Sequence, residues 1–164
     1  MVGIGKLNYL AQTARADIMY ATHQIAKYSS DPRTSHGEAV LYLIHYLKKT
    51  RDLGLLFKPD PNKDFECYCD ADFSGLCNRA FTPVDPSTSK SRNGWIIFYA
   101  GCPISWASKL LSQVALYTTK AEEYIAMSQA LRDVIPNMGL LQEMREQDFK
   151  VLCTEPYVYC KVFE

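Results

Sequence analysis

Three acidic residues, Asp70, Glu122 and Glu123, have the clearest potential for chemistry in this sequence. Asp70 stands near the end of an otherwise apolar segment, where a carboxylate is costly unless water solvates it or a cation binds it. The two glutamates fall in the first turn of a long helix that the sequence predicts further along the chain. A strand-end carboxylate facing a helix carboxylate begins a site for a hard cation such as Mg²⁺, which prefers oxygen ligands. With a third carboxylate, such a site can hold two ions about 4 Å apart and support in-line hydrolysis of a phosphodiester.

The same acids also have an ordinary structural explanation. Acidic residues at strand ends favour turns, and acidic residues in the first turn of a helix interact favourably with its dipole. Taken alone, the residue types favour this explanation over a metal site.

The composition narrows the class of protein. The chain has 164 residues, enough for one medium domain or for one domain and a fragment of another. Its 18 basic residues balance 18 acidic ones, which excludes a strongly basic nucleic-acid arm but not a locally basic groove. No apolar run is long enough to span a membrane, and residues 1–10 lack the pattern of a secretory signal. We therefore expect an intracellular protein without membrane contact.

The six cysteines show no metal-binding spacing. They lie at positions 67, 69, 77, 102, 153 and 160, without a Cys-x-x-Cys pair. Structural zinc usually needs ligands paired two to four residues apart. The spacing favours buried, reduced thiols in the core over a metal or disulfide framework.

The first third of the chain predicts helices. Apolar residues recur at helical spacing through residues 7–11 and 18–28. Ser35 and Glu38 form an S-x-x-E capping box that opens a third helix, which ends before Gly54.

The remainder predicts strands and one long helix. We expect a short strand at Leu55–Phe57, strands at 65–73, 94–100 and 104–108, a further strand segment at 113–116, a helix from 119 to 131 that continues towards 144, and a last strand at 157–163. Residues 77–92 are rich in Pro, Ser and Thr and predict a long loop. Pro136 should kink or end the helix. The last strand can then return beside the first through a right-handed crossover.

Several ordered motifs are similar to one known family. The segments GKLNYL (5–10), ARADIMYATHQ (14–24) and YLKKTRDLGL (46–55) resemble the end of a copia-type LTR retrotransposon reverse transcriptase. The segments CDADFSG (69–75), SKSRNGW (89–95), PISWASK (103–109) and TTKAEEYIA (118–126) resemble the ribonuclease H domain that follows it in the same polyprotein.

This resemblance implies an α/β fold with a ribonuclease H-like mixed sheet, truncated, in residues 54–164, after a helical reverse-transcriptase segment in residues 1–53. It implies carboxylates that bind Mg²⁺ or Mn²⁺ and cleave the RNA strand of an RNA–DNA hybrid. Asp70 matches the first catalytic aspartate, with Asp72 as a neighbouring acid. The implied partners are the hybrid and the remainder of the Pol polyprotein.

The matching glutamate lies at one of two positions. The family pattern has one residue fewer at this point, and packing downstream should fix the helix register, which favours Glu123 over Glu122. Thr119 and Glu122 would then form a capping box. We expect Asp70 and Glu123 to be the catalytic metal ligands, with Glu122 as the alternative.

The resemblance also implies two further catalytic carboxylates beyond Glu164. Two carboxylates should hold Mg²⁺ weakly, so we expect the isolated chain to be inactive or nearly so. The alternatives are a non-catalytic module that handles nucleic acid or serves a structural role, and the remnant of a decayed retroelement.

Basic residues accompany the two tryptophans and suggest a substrate surface. Arg92 and Lys109 lie close in sequence to Trp95 and Trp106. Basic groups beside aromatic rings suit phosphates and stacked bases, so we expect Arg92 and Lys109 to contact substrate. A solvated loop and two core tryptophans would explain the same pattern.

Overall fold

The computed structural model describes residues 2–72, 90–111, 119–146 and 159–162. The chain divides into two compact units, residues 1–56 and 57–164. This division lies three residues from the boundary predicted between residues 53 and 54, and the family identity of each unit stays a prediction. Among the described residues, no helix combines the length and the apolar character that crossing a membrane requires.

The first unit is helical, as predicted. Helix α1 spans Val2–Thr13, a short 3₁₀ helix spans Ala16–Ile18, α2 spans Met19–Ala26 and α3 spans Thr34–Lys49. Its buried apolar side chains are Leu7, Ala11, Ile18, Met19 and Leu43.

Helix α3 begins two residues earlier than the capping box at Ser35 predicts. The N-cap residue is Arg33, and its backbone N–H donates to Nδ1 of His36 over 3.0 Å. The His36 ring also stacks on Tyr28, with the ring centroids 4.3 Å apart. An imidazole therefore takes the acceptor role that the sequence pattern assigned to Glu38, and the predicted box is wrong.

A buried arginine ties the region after α1 to the end of α3. Arg15 is 6% exposed and donates to both carboxylate oxygens of Asp17 over 2.9 and 2.7 Å. It also donates to the backbone oxygen and the hydroxyl of Thr50, while the Tyr46 hydroxyl donates to Asp17. The hydrogen bonds from Arg15 and Tyr46 hold the pKa of Asp17 below its ordinary value.

The second unit contains a four-stranded mixed sheet. Strands β1 (Phe65–Asp72), β2 (Arg92–Tyr99), β3 (Cys102–Leu110) and β4 (Tyr159–Val162) are arranged in the order β3-β2-β1-β4. The pairs β1–β2 and β2–β3 are antiparallel, and β1–β4 is parallel. The predicted return of the last strand beside the first is confirmed.

The strand predicted at Leu55–Phe57 is wrong. These residues have no regular secondary structure, and Leu56 and Phe57 are 79% and 62% exposed. Pro59 and Pro61 follow at once and lack the N–H groups that a strand ladder needs. Asp60 instead donates its backbone N–H to Ala100, in the turn between β2 and β3. The strand segment predicted at 113–116 and most of the loop predicted at 77–92 lie outside the described residues.

Helix α4 (Thr119–Glu146) packs against one face of the sheet, here called the inner face. This face and the helix share a core of Phe65, Cys67, Cys69, Trp95, Ile97, Ala130 and Val134. The side chains of Cys67, Cys69 and Cys102 are buried, as predicted; the other three cysteines lie outside the described side chains. Strand residues alternate between faces, so Glu66, Tyr68 and Asp70 lie on the opposite, outer face.

Pro136 does not end α4. The helix runs through it to Glu146, although proline removes one backbone donor from the helix. Next to Pro136, the side-chain amide of Asn137 donates a hydrogen bond to the backbone oxygen of Asp133 over 2.7 Å.

Candidate functional site

Asp70 lies near the end of β1 with its carboxylate exposed on the outer face. Its Oδ1 accepts the backbone N–H of Ala71 over 2.9 Å. Across the strand pair its partner is Gly94, which has no side chain. Solvation removes the burial penalty for this carboxylate, and the missing side chain at Gly94 leaves space beside it.

The direction of α4 follows from two hydrogen bonds to β2. The Asn93 amide donates to Gln129 Oε1 over 3.0 Å, and the Trp95 indole N–H donates to Asp133 Oδ2 over 3.0 Å. Asn93 pairs with the end of β1 and Trp95 with its middle, so α4 runs opposite to β1. The first turns of α4 therefore lie towards the end of the sheet where β1 ends.

Glu123 lies on the face of α4 that packs against the sheet. It precedes Ala130 by two helical turns and Ala126 by one, and both alanines are buried. Its side chain is partly exposed. The side chain of Glu122 lies outside the described residues.

Asp70 and Glu123 thus lie towards the same end of the sheet but start from different faces. Asp70 belongs to the outer face, whereas Glu123 extends from a helix packed on the inner face. The described parts of the chain contain no group of three or more His, Cys, Asp or Glu residues that could hold a metal ion. The sharing of one ion by Asp70 and Glu123 stays a prediction.

The available donors match the chemistry of a hard cation. Both side chains offer carboxylate oxygens, the ligand type of Mg²⁺ and Mn²⁺. One oxygen of Asp70 is engaged by Ala71 and the carboxylate is otherwise accessible. The carboxylates of Asp70 and Glu123 are the type of ligand that a divalent cation prefers. Two carboxylates are too few for a complete site.

The two predicted substrate-binding residues lie on different faces. Arg92 shares the outer face with Asp70 and donates to the Ser108 hydroxyl over 3.1 Å. Lys109 pairs with buried Asn93, and its ammonium lies 4.8 Å from the centroid of the Trp95 ring. The structure therefore places Arg92 on the face of Asp70, and Lys109 against the tryptophan that contacts α4.

The chain is similar to short parts of long transposon proteins. It is 33% identical over 153 residues to the Retrovirus-related Pol polyprotein from transposon TNT 1-94 of Nicotiana tabacum. It is 31% identical over 157 residues to the corresponding polyprotein from transposon RE2 of Arabidopsis thaliana. These alignments cover 92% and 96% of this chain but 11% and 10% of the relatives, so the chain spans about one tenth of their length.

A shorter relative matches over most of its own length. The Secreted RxLR effector protein 161 of Plasmopara viticola is 30% identical over 132 residues, which cover 80% of this chain and 86% of that protein. The chain belongs to the same family as this protein, and it is similar to parts of Pol polyproteins over more than nine-tenths of its own length. No family model matches this Pol-related chain, and no solved structure matches it either.

Sequence reasoning missed the polar residues that join α4 to the sheet of the Pol-related chain. Asn93 is fully buried, and Gln129 and Asp133 flank the apolar stripe of α4 at a spacing of one turn. The available signal was a pair of polar residues four apart beside a run of apolar helix positions. That signal identifies a helix edge but does not identify the strand residues it contacts.

Proposed function

We propose that this chain carries the first part of a ribonuclease H-type nuclease unit in residues 54–164, preceded by the last helices of a reverse transcriptase in residues 1–53. The intact unit would hydrolyse the RNA strand of RNA–DNA hybrids during reverse transcription, inside the cell. One observation carries the proposal: three antiparallel strands, then α4, then a strand parallel to β1, with Asp70 near the end of β1. The similarity to Pol polyproteins over more than nine-tenths of the chain supports it.

In this proposal Asp70 and Glu123 are two of the ligands of Mg²⁺ or Mn²⁺. A bound divalent cation supplies charge neutralisation at the scissile phosphate and lowers the pKa of a coordinated water. The remainder of the polyprotein would supply the other carboxylates. Because two carboxylates hold Mg²⁺ weakly, we expect the chain by itself to be inactive or nearly so.

Arg92 would contact a backbone phosphate of the hybrid. It lies two residues from Gly94 on the strand beside β1, which makes it a diagonal neighbour of Asp70 at about 7–8 Å. Its hydrogen bond to Ser108 restricts the guanidinium on the outer face. Lys109 is the weaker candidate, because its ammonium lies against Trp95.

The proposal is tested by binding of a fluorescein-labelled RNA–DNA hybrid, measured as anisotropy with and without Mg²⁺. We expect the hybrid to bind more tightly than DNA duplex of the same sequence, and Mg²⁺ to strengthen binding. Arg92→Gln should weaken binding and reduce its salt dependence, whereas Arg51→Gln, in an exposed position of the first unit, should not. Equal binding of hybrid and duplex, unaffected by Mg²⁺, would overturn the proposal.

Gel analysis of the same samples tests the expected lack of activity. Intact RNA after incubation with Mg²⁺ agrees with an incomplete site. RNA cleavage that disappears in Asp70→Asn would show that the chain is active alone. Hybrid binding that is tight but unchanged in Asp70→Asn and Glu123→Gln, again without cleavage, would favour a non-catalytic module.

A further inference from the structure

Two hydrogen bonds join neighbouring inner-face positions of β2 to neighbouring turns of α4. They are the Asn93–Gln129 and Trp95–Asp133 bonds, each 3.0 Å long. We infer that Gln129 and Asp133 are positioning residues that fix α4 in one axial register on the sheet. The consequence for Glu123 rests on the proposed function; the register itself does not.

The spacings of the two elements match. Residues 129 and 133 are one helical turn apart, which separates them by about 6 Å along the helix axis. Asn93 and Trp95 are two strand residues apart, which separates them by about 6.6 Å along the strand. Both bonds therefore form together in one register.

A slip of α4 by one turn would disrupt this arrangement. In one direction, Ile125 would move to the level of Asn93 and Asp133 to the level of buried Ile97, so the Asn93 amide would lose its acceptor. In the other direction, Asp133 would move to the level of Asn93 and Asn137 to the level of Trp95, and Gln129 would lose its partner. Asn93 is fully buried, and its Oδ1 already lacks a hydrogen-bond partner among the described residues. Loss of the Gln129 acceptor would also leave the side-chain nitrogen of Asn93 without a hydrogen bond, which is destabilising because Asn93 is buried.

The apolar contacts of α4 select the register less strongly. The buried stripe of the helix contains Ala126, Ala130 and Val134, and its flanks include Met127 and Met138. Alanines four residues apart present almost the same surface after a one-turn slip, and methionine adapts its shape to new neighbours. The directional hydrogen bonds therefore supply the discrimination that this stripe lacks.

Lys109 contacts the indole ring that forms the second bond. Its ammonium lies 4.8 Å from the ring centroid of Trp95, while the indole N–H of Trp95 donates to Asp133. The attraction between the cation and the ring face helps to hold the indole in the orientation that reaches Asp133. This gives Lys109 a structural role in addition to the weaker substrate contact proposed above.

The register determines where Glu123 lies. Glu123 precedes Gln129 by six residues, so it lies about 9 Å further along the helix axis, beyond the level of Asn93. A one-turn slip moves it by about 5.4 Å, more than a carboxylate can compensate while keeping a metal contact.

The test compares four versions of the chain by NMR: wild type, Gln129→Leu/Asp133→Leu, Asp133→Asn and Glu143→Gln. Asp133→Asn keeps a carbonyl acceptor for the indole, and Glu143→Gln changes an exposed residue of the same helix. NOEs between the Trp95 ring and the methyl groups of Ala130 and Val134 report the register without any metal. Mn²⁺ titration, followed by broadening of amide signals, reports the consequence for Glu123.

We expect the double leucine variant to lose the wild-type NOE set or to show a second set, and to bind Mn²⁺ about tenfold more weakly. Asp133→Asn and Glu143→Gln should keep the wild-type NOEs. A folded double variant with unchanged NOEs would overturn the inference even if its melting temperature falls. If the double variant does not fold, Gln129→Leu and Asp133→Leu alone are judged by the same NOEs. If wild type binds no Mn²⁺, the proposed metal site fails, and the NOEs still decide the register.

Discussion

Asp70 of β1 lies directly opposite Gly94 of β2, so the neighbouring strand presents no side chain at the position that faces the carboxylate across the strand pair. The backbone conformation at residue 94 does not require glycine. A Cβ atom added at Gly94 would meet the backbone oxygen of Ala107 at 3.5 Å, an ordinary van der Waals contact. Its small size therefore matters for access to Asp70 more than for folding.

Gly94→Ala should leave the fold intact. Because the site has room and alanine reduces the entropy of the unfolded chain, we expect the free energy of unfolding to change by less than about 1 kcal/mol in urea denaturation. Gly101→Ala is the contrasting variant: φ at Gly101 is +75° and an added Cβ would lie 3.0 Å from the Lys63 side chain. Left-handed backbone costs an alanine about 1–2 kcal/mol, so this second variant should be clearly destabilised. Equal stability of the two variants would contradict the argument.

Trp95→Phe should destabilise the second unit. Phenylalanine keeps an aromatic ring but cannot donate to Asp133, and we expect a loss of about 1–3 kcal/mol, from the hydrogen bond and reduced packing. Tyr124→Phe serves as the control, since Tyr124 is 70% exposed, and should be near neutral. Chemical denaturation followed by far-UV circular dichroism measures both. A neutral Trp95→Phe would show that the indole bond does not contribute to stability.

The Arg15–Asp17 contact should make the first unit sensitive to acid. The pKa of Asp17 is lowered in the folded chain, so its ionised form adds stability at pH values above the ordinary pKa, and that stability is lost as the pH falls through the folded pKa. Melting temperatures measured from pH 7 to pH 3 should fall less steeply below about pH 4 in Asp17→Asn than in wild type, although the variant starts lower. Parallel curves for wild type and Asp17→Asn would contradict this role; Asp52→Asn, whose side chain is 92% exposed, is the matched control.

Pro136→Ala should stabilise α4. The helix already continues through Pro136, and alanine would restore a backbone donor at an exposed position. An interior proline is about 3 kcal/mol less favourable than alanine, partly offset by the greater freedom of the unfolded variant, so a gain of about 1–2 kcal/mol is expected in urea. A loss of stability would mean that the proline is needed for the path of the helix.

Much of the second unit could be predicted from sequence because its signals are local. Apolar strands, the turn at Gly101 and the helix after Thr119 each follow from short patterns, and the crossover rule places β4 beside β1. The predicted ends of helices and strands were wrong where contacts with residues distant in sequence determine them. Leu55–Phe57 has residue types typical of a strand but forms no strand. At the start of α3, His36 takes the acceptor role expected of Glu38.

The candidate site was less predictable than the elements that carry it. The large apolar residues Tyr124 and Ile125 of α4 are 70% and 39% exposed, and the buried stripe of the helix runs through Ala126 and Ala130 instead. Small residues let the helix approach the sheet closely, which a hydrophobicity pattern does not register. Likewise, residue types indicated an acid pair, but only the strand register shows that Asp70 belongs to the outer face.

The central claim, one divalent cation shared by Asp70 and Glu123, is tested most directly by Mn²⁺-induced broadening of backbone amide signals. The account predicts that Mn²⁺ broadens the amides of Ala71 and Tyr124 together, and that Asp70→Asn and Glu123→Gln each abolish both effects while Glu143→Gln abolishes neither. Broadening at Tyr124 that survives Asp70→Asn, or broadening at Ala71 that survives Glu123→Gln, would contradict it.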